Sequence, residues 1–438
     1  MQKRPIKKAG EVSRREFIKT SAAVSVAAML SGTGKLRAAG SDKIRVGVIG
    51  FGGRGSGAAI DCIKSSDGVE ITALGELFED RLEMGIKRFK ERMAEDKLSP
   101  EAMKFTEDTC FVGFDAYEKV IACDVDMVIL ATPPHFRPAH LKAALEAGKH
   151  VFMEKPVGVD PVGVRSVIAS SQLAEQKGLS LVAGTQRHHQ AHYLELMKRV
   201  HSGQIGEIVA AQCYWNSGNM APWGVRERQP SWTDMEWQCK NWFFFVWLCG
   251  DHIVEQHLHN IDAVNWAIGS HPIKAMGVGG REVRTGPEYG NIFDHFAIEY
   301  EYSNGARVLS MCQQIEGCHR QVSERVVGTK GSLYTDGALG YIEGQNAYKY
   351  DGPNPNPYVQ EHTDLIAAIR TNKPINEGRR VAESTMTAIL GRTSAYTGRA
   401  IKWDWVMNAS KLDLTPSKYE FGDLPVRPVA VPGKTKLV

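Results

Sequence analysis

The sequence predicts an α/β protein in two parts: a doubly wound parallel sheet, then an α+β domain with an open, mostly antiparallel sheet. In the first part, between residues 44 and 153, apolar strand-like runs alternate with helix-like stretches, as in parallel sheets covered by helices. Beyond residue 185, short strands follow one another with few helices between them, which indicates antiparallel pairing. A length of 438 residues is enough for two domains.

The charge of the chain is distributed unevenly. The formal net charge is +3, but residues 1–40 hold nine Lys and Arg against two Asp and Glu. The remaining 44 basic and 48 acidic side chains leave a net charge of −4, which does not support a nucleic-acid partner. The eight cysteines form no CxxC pair, so we interpret them as buried or idle thiols.

Residues 1–40 have the pattern of a twin-arginine export signal. The pair at 14–15 is followed by Phe, Ile and Lys at 17–19 and by an apolar run at 22–30. That run is shorter than the roughly 20 apolar residues that span a membrane. Small residues at 38–40 offer a cleavage site. We therefore predict a periplasmic protein with no membrane span, the alternative being a basic, disordered tail.

The first strand-like run, at 44–49, leads into a glycine-rich turn that consists of Gly50, Phe51, Gly52, Gly53, Arg54 and Gly55. Glycines at a strand-to-helix turn let the backbone approach a pyrophosphate, which then lies at the helix N-terminus. The next strand, VEITALGE, ends in Glu76, 21 residues beyond Gly55, where a carboxylate can bind ribose hydroxyls. Such an acid favours NAD over NADP, although Arg81 is close; a surface carboxylate is the alternative interpretation of Glu76.

Two further strands continue the alternation. DMVILA (126–131) stops at Thr132-Pro133-Pro134-His135, a helix is predicted at 138–147, and HVFMEKP (150–156) follows. Ligands of doubly wound sheets bind at the carboxyl ends of the strands. The candidate cofactor ligands at those ends are Thr132, Pro133, His135, Glu154 and Lys155.

The stretches GFGGRG, ATPPHFRPAH and AALEAGKHVFMEKP resemble those of the glucose–fructose oxidoreductase, inositol dehydrogenase and rhizopine-catabolism family (Gfo/Idh/MocA). The resemblance covers essentially everything after residue 40. It implies an NAD-binding Rossmann domain over 41–184 and a substrate and oligomerisation domain over 185–438. It also implies a C-terminal helix near 381–397 that packs back on the Rossmann domain, and a lysine, Lys155, beside the nicotinamide and the reacting hydroxyl.

The second part is rich in tryptophan, with seven of the nine between Trp215 and Trp266. Core packing is the default interpretation of each ring. A cluster this dense, interspersed with Asn219, Arg226, Arg228 and Asn241, also suits a pocket in which sugar faces stack on aromatic rings. The candidate substrate ligands are Arg187, His188, Trp242 and His252.

One stretch in this region, GDHIVEQHLHNIDAVNW (250–266), carries three histidines and no lysine or arginine. As a single helix it would place His252, Glu255, His259, Asp262 and Trp266 on one face. Three interpretations compete: a solvated polar face, a metal site of His252, Glu255 and His259, and a proton-transfer apparatus. We favour proton transfer and predict no metal.

The family resemblance supports that choice. Its members carry D-x-x-x-H followed by I-D, which Glu255, His259 and Ile261-Asp262 match here. The resemblance implies that His259 is the general base, while Glu255 orients its ring and Lys155 polarises the substrate oxygen. Glutamate in place of aspartate, and the additional His257, depart from the family pattern.

The leading hypothesis is an NAD(P)-dependent oxidoreductase that acts on a CH–OH group of a sugar, sugar derivative or cyclitol. An exported enzyme has no large pool of free NAD, so we expect a tightly held cofactor. The alternatives are a redox-neutral NAD-dependent glycosidase, or another enzyme that oxidises its substrate transiently, and a non-catalytic sugar-binding module. We also expect a homo-oligomer, a dimer or a tetramer, and a Pro-rich C-terminal arm that lies on the protein's own surface or on a neighbouring subunit.

Overall fold

The computed structural model describes residues 43–218 and 226–438. The predicted export signal at 1–40 and Asn219 lie outside these residues.

The first domain is a six-stranded parallel sheet with the strand order β3-β2-β1-β4-β5-β6. This is the order of a Rossmann fold, in which the order of the strands reverses between the parallel neighbours β1 and β4 and leaves a crevice at their carboxyl ends. The strands are β1 (Ile44–Ile49), β2 (Val69–Glu76), β3 (Cys110–Val112), β4 (Met127–Leu130), β5 (His150–Met153) and β6 (Leu181–Ala183). The helices between them are α1 (Gly53–Ser65), α2 (Glu79–Glu95), α3 (Ala116–Ala122), α4 (Arg137–Glu146) and α5 (Pro161–Lys177).

The central strands are apolar along their whole length because helices cover both faces of the sheet. Every residue of β4 is fully buried, and the partner positions Val46 and Val48 of β1 are equally inaccessible. The predicted parallel fold is therefore confirmed.

The second domain is built on a nine-stranded sheet with the order β14-β13-β12-β11-β7-β10-β9-β8-β15. Only the pair β7–β10 is parallel, so the sheet is mostly antiparallel, as predicted. Strands β11 and β12 form an antiparallel hairpin. The strands are β7 (Ile208–Ser217), β8 (Lys274–Gly280), β9 (His295–Glu301), β10 (Arg307–Gln314), β11 (Gln321–Gly328), β12 (Gly331–Asp336), β13 (Gly340–Gly344), β14 (Tyr348–Lys349) and β15 (Ile401–Lys402).

The second part of the chain also contains the helices α6 (Ala191–His201), α7 (Asp234–Lys240), α8 (Val246–Cys249), α9 (His252–Glu255), α10 (Leu258–Ile268), α11 (Pro357–Thr371), α12 (Gly378–Thr397) and α13 (Trp403–Asn408). Of these, α6, α10 and α12 pack on the nine-stranded sheet. Helix α12 spans the predicted position 381–397 and packs on both α5 of the Rossmann domain and β8 of the second sheet. Helix α11 packs on α1, directly beside the glycine-rich turn.

The histidine-rich stretch is not a single helix, so that prediction was wrong. Asp251 has a φ of 74°, α9 ends at Glu255, and α10 begins at Leu258. The carboxylate of Asp251 accepts hydrogen bonds from the backbone N–H of His252 and of Phe293, and from the hydroxyl of Tyr396. These contacts hold the chain in a turn, and the break separates side chains that a continuous helix would place on one face.

The last thirty residues, 409–438, form the predicted arm without a regular helix or strand. The arm lies on the protein's own surface, and its first part is anchored where Leu414 donates its N–H to Asp160. Its end returns to the same place, since the hydroxyl of Ser410 donates to the carbonyl of Val438.

Across the ranges that the structure describes, no helix combines the length and the apolar character that crossing a bilayer requires.

Candidate active site

A cavity of about 520 Å³ opens at the carboxyl ends of the Rossmann strands. It extends from the glycine-rich turn to the second domain, which supplies Trp242, Glu255 and His259. A site of this size, in the crevice where the strand order reverses, is where a doubly wound fold binds a ligand.

The glycine-rich turn fits a dinucleotide phosphate. Gly50 has a φ of 90°, and a Cβ on Gly55 would lie 2.0 Å from the carbonyl oxygen of Gly50, so the turn cannot close with larger residues. Helix α1 begins within this stretch, at Gly53, with no side chain capping its N-terminus and no acid in its first turn. Its first backbone N–H groups therefore remain available for an anion.

The carboxylate of Glu76 lies beside the glycine-rich turn. Its Oε1 accepts a hydrogen bond from the N–H of Leu77 at 2.7 Å, and its Oε2 lies 3.8 Å from where a Cβ on Gly52 would be. Burial raises the pKa of Glu76 to about 7. The carboxylate therefore faces the turn, in the place predicted for a ribose ligand.

We expect the raised pKa of Glu76 to make the affinity for NAD depend on pH. Below about pH 7 the group is protonated, and it then accepts hydrogen bonds from ribose hydroxyls less well. We expect NAD to bind about tenfold more tightly at pH 8 than at pH 6, following the ionised fraction of one group. Titration calorimetry at the two pH values measures this ratio. Glu76→Gln should remove the difference, whereas Glu79→Gln, at an exposed position, should keep it. Equal wild-type affinity at both pH values would contradict the role of Glu76.

Lys155, at the end of β5, points to the second domain. Its Nζ donates to the backbone carbonyl of Glu255 at 2.6 Å and lies 3.2 Å from the Oε1 of the same residue. Both side chains are largely buried but line the cavity. A cation is thus held at the cavity wall by one main-chain and one side-chain oxygen.

The structure places Glu255 against Lys155 and not against the ring of His259. No residue in the described parts of the chain bonds the Nδ1 of His259, and that ring packs near Trp215, with 5.8 Å between ring centroids. Our prediction that Glu255 orients the imidazole is therefore replaced by one in which it holds the lysine.

The surroundings of His259 favour its neutral imidazole form. Burial, with the positive charges of Lys155 and Arg187, lowers the pKa of His259 well below its usual 6.5. Because the ring lines the cavity in its unprotonated form, it can accept a proton from a bound hydroxyl.

Arg54 connects the glycine-rich turn to α11. Its guanidinium pairs with Glu154 and Glu361, the latter at 3.3 Å, and lies 5.2 Å from the ring centroid of Tyr358. Glu154 is therefore a partner of Arg54 at the cavity wall as well as a neighbour of Lys155. This network fixes the turn from both domains.

Thirteen of the predicted site residues line the cavity: Gly50, Gly52, Gly53, Arg54, Gly55, Glu76, Thr132, Pro133, Glu154, Lys155, Trp242, Glu255 and His259. Five do not: Phe51, His135, Arg187, His188 and His252. Four of the five are buried, His188 is partly buried, and each makes contacts elsewhere. Phe51 packs on Phe89 under the turn, and the ring of His135 lies 2.7 Å from the hydroxyl of Tyr419.

Three of the predicted substrate ligands, Arg187, His188 and His252, do not line the cavity and contact other residues of the protein instead. Arg187 forms a buried ion pair with Glu324. The Nε2 of His188 lies 2.8 Å from a carboxylate oxygen of Asp262. Each of these polar groups therefore has a partner within the protein and does not need a ligand. His252 packs on Phe296, outside the cavity. His252, Glu255 and His259 do not converge, and among the described residues no three His, Cys, Asp or Glu side chains are grouped so that they could hold a metal ion.

Several wall residues were missed from the sequence. Phe78 and Phe114 each lie two residues beyond the end of a parallel strand, so the rule that identified Thr132 could have identified them. Tyr358 and Gln186 also line the cavity, and the hydroxyl of Tyr358 accepts a hydrogen bond from the Gln186 amide. No local signal marks Tyr358, since only the packing of α11 on α1 brings it there.

Comparison with known families agrees with this architecture. Residues 44–185 match the family model described as "Oxidoreductase family, NAD-binding Rossmann fold", and residues 193–334 match the "GFO/IDH/MocA C-terminal domain". The chain therefore belongs to the Gfo/Idh/MocA family of NAD(P)-dependent oxidoreductases.

Curated relatives are distant. The chain is 26% identical over 181 residues to 2,7-anhydro-N-acetylneuraminate hydratase of Escherichia coli (strain K12), which is 41% of this chain and 44% of the relative. It is 27% identical over 217 residues to a glycosyl hydrolase family 109 protein of Solibacter usitatus, 47% of this chain and 46% of the relative. Against scyllo-inositol 2-dehydrogenase (NAD(+)) of Bacillus subtilis the identity is 20% over 300 residues, 67% and 73%. The matches thus span less than half the length of the first two relatives.

The fold also matches a solved structure. The aldose–aldose oxidoreductase from Caulobacter crescentus, crystallised with glycerol, superposes with a TM-score of 0.63 and 19% identity, covering 82% of this chain and 99% of that one. At this identity the match concerns the fold alone.

Proposed function

We propose that this Gfo/Idh/MocA protein oxidises or reduces a CH–OH group of a sugar, sugar derivative or cyclitol and keeps its NAD bound between turnovers. One observation carries the proposal: the cavity that contains the glycine-rich turn and Glu76 also contains Lys155 and His259. The residues proposed to bind the dinucleotide and those proposed to transfer a proton therefore line the same cavity.

The side chains divide the work as follows. A bound nicotinamide supplies the hydride acceptor. Neutral His259 takes the proton of the substrate hydroxyl, which must leave as the carbinol carbon is oxidised. Lys155 stabilises the negative charge that develops on the same oxygen, and Glu255 keeps its ammonium group in place. In the reverse direction the protonated His259 returns the proton.

The cofactor assignment rests on Glu76, whose carboxylate repels a 2′-phosphate and accepts ribose hydroxyls. Arg81 and Arg88 also line the cavity, so we propose NAD as the preferred and not the exclusive cofactor. Tight retention follows from the proposed export by the twin-arginine route into the periplasm, where exchange with free NAD is limited.

An absorbance spectrum of the protein purified without added cofactor tests the proposal. We expect a bound nicotinamide that one sugar or cyclitol reduces and a second one reoxidises. Loss of NAD on desalting, followed by steady NADH production when NAD is supplied, would contradict retention of the cofactor. No response to a broad panel of sugars and cyclitols, even with added NAD, would contradict oxidoreduction and favour the sugar-binding module.

A redox-neutral reaction is the second candidate, because the relatives include a glycosyl hydrolase family 109 protein and a hydratase. In that case a single glycoside or anhydro sugar should be converted with no net change of the nicotinamide spectrum. Product analysis by chromatography with one substrate present separates the two candidates.

We further propose a homo-oligomer that uses the open face of the second sheet. Val278 of β8, Ala297 of β9 and Met311 of β10 lie in register across this face. Val278 is 70% and its neighbour Met276 is 58% exposed, which is unusual for apolar side chains this close together. A second copy packed on this face would bury them. A single-chain mass by light scattering would contradict this assignment.

A further inference from the structure

The C-terminal arm passes over the end of the cavity marked by Glu76. Its central part, residues 417–424, is named here the clasp segment. The chain on both sides of it is anchored to the protein core, by Leu414 before it and by Val429, Ala430 and Leu437 after it. The clasp segment itself carries two large aromatic residues, Tyr419 and Phe421.

Three hydrogen bonds join the clasp segment to α7. The N–H of Met235 donates to the carbonyl of Gly422 at 3.1 Å, and the amide of Gln238 donates to the carbonyl of Leu424 at 2.5 Å. The N–H of Leu424 donates to the carboxylate of Asp234 at 3.1 Å. Helix α7 ends in Lys240, which lines the cavity, so the clasp segment holds a part of the cavity wall in place.

The aromatic residues of the clasp segment pack on the outer side of three wall residues. Phe421 stacks on Phe78 with 5.5 Å between centroids and 12° between planes, and it also contacts Phe114 at 5.3 Å. Tyr419 packs against Phe114 and Phe136 at 5.9 and 5.7 Å. Phe78, Phe114 and Phe136 all line the cavity. The end of the cavity therefore has two layers of aromatic rings.

These outer rings contribute little to the core. Tyr419 is 42% and Phe421 is 45% exposed, whereas Phe78 beneath them is buried. A side chain that stays half in water gains only part of the free energy of burial, so packing alone gives a modest stabilisation. What the rings do is cover wall residues that would otherwise face solvent and be free to move.

We propose that the clasp segment retards release of the dinucleotide by holding α7 and the wall phenylalanines against the Glu76 end of the cavity. This inference rests on the proposed function, in which the cofactor stays bound between turnovers. Opening that end requires the three hydrogen bonds and the aromatic contacts to separate together. The ligand retained is a nicotinamide adenine dinucleotide.

The rate constant for NADH release tests the clasp segment. The full chain is loaded with NADH, mixed rapidly with excess NAD, and followed by the loss of NADH fluorescence. We expect Phe421→Ala to release NADH at least about tenfold faster than wild type, corresponding to a barrier lowered by about 1.4 kcal/mol. Tyr419→Phe, which loses only the contact with His135, should show a smaller increase. Val426→Ala, at an exposed position of the arm outside the clasp segment, should release NADH at the wild-type rate.

The rate of NADH release tests the clasp segment, and turnover of sugar tests the proposed function, so each can fail without the other. A Phe421→Ala rate within twofold of wild type would overturn the clasp, and so would a wild-type protein that binds no NADH. A faster release from Phe421→Ala in a protein that turns over no sugar would support the clasp and contradict oxidoreduction. If Phe421→Ala does not fold, Phe421→Leu retains an apolar contact without stacking, and an unchanged release rate there overturns the inference equally.

Discussion

Replacing Lys155 by alanine should lower the rate of hydride transfer by at least about 100- to 1,000-fold, the cost typical of removing one donor to a developing oxyanion. The residue supplies the only lysine ammonium within reach of both the carbonyl and the carboxylate of Glu255 in the part of the chain described. Cofactor affinity should change little, because the glycine-rich turn and Glu76 are untouched. Single-turnover kinetics with bound NAD, together with calorimetry of NAD binding, measure the two quantities separately.

Lys155→Ala also leaves the buried carboxylate of Glu255 without its cation, so the stability of the variant needs a control. Lys155→Met removes the charge and keeps most of the side-chain length, and it should lose activity to the same extent. Lys142→Ala, which changes a lysine whose side chain is 61% exposed on α4, should retain full activity. Wild-type turnover in folded Lys155→Met would exclude Lys155 from the chemistry.

Replacing His259 by alanine should slow the reaction by about 100- to 10,000-fold, the range for loss of a general base. The expectation follows from a ring that lines the cavity, is otherwise buried, and has no hydrogen bond at Nδ1 to any described residue. His319→Ala, at an exposed position, is the matched control and should leave the rate unchanged. A loss below tenfold would indicate that His259 serves packing and not proton transfer.

The pH profile adds a readout that packing would not affect. A histidine with a lowered pKa is neutral, and competent as a base, at every pH above that lowered value. We therefore expect kcat/KM for substrate oxidation to stay level as pH falls through 6.5, and to decline only at lower pH. The profile is measured with cofactor held saturating, because Glu76 titrates near pH 7. A decline centred at 6.5 would show that the base is a solvent-exposed histidine.

Local patterns were sufficient for four of the six Rossmann strands, β1, β2, β4 and β5. Ligands collect at the carboxyl ends of such strands, so Glu76, Thr132 and Lys155 could be placed without knowledge of packing. The three-residue strands β3 and β6 are too short to give a comparable signal. The second sheet was predicted in type.

Contacts between residues that are distant in sequence determine the parts of the fold and of the site that local patterns did not predict. The stretch 250–266 satisfies helical periodicity. The chain nevertheless turns at its start, because Phe293 and Tyr396, which are distant in sequence, donate hydrogen bonds to the carboxylate of Asp251. His188 and Arg187 were predicted to be substrate ligands. Their partners Asp262 and Glu324 come from elements whose positions only the fold supplies.

The bond between Lys155 and the carbonyl of Glu255 has a consequence for substitutions at position 255. A carbonyl belongs to the backbone and is present whichever residue occupies that position. We therefore expect the bond to persist when the side chain is replaced by an acid of another length. The position of the ammonium group depends on the path of the backbone at this turn more than on the side chain that the turn carries.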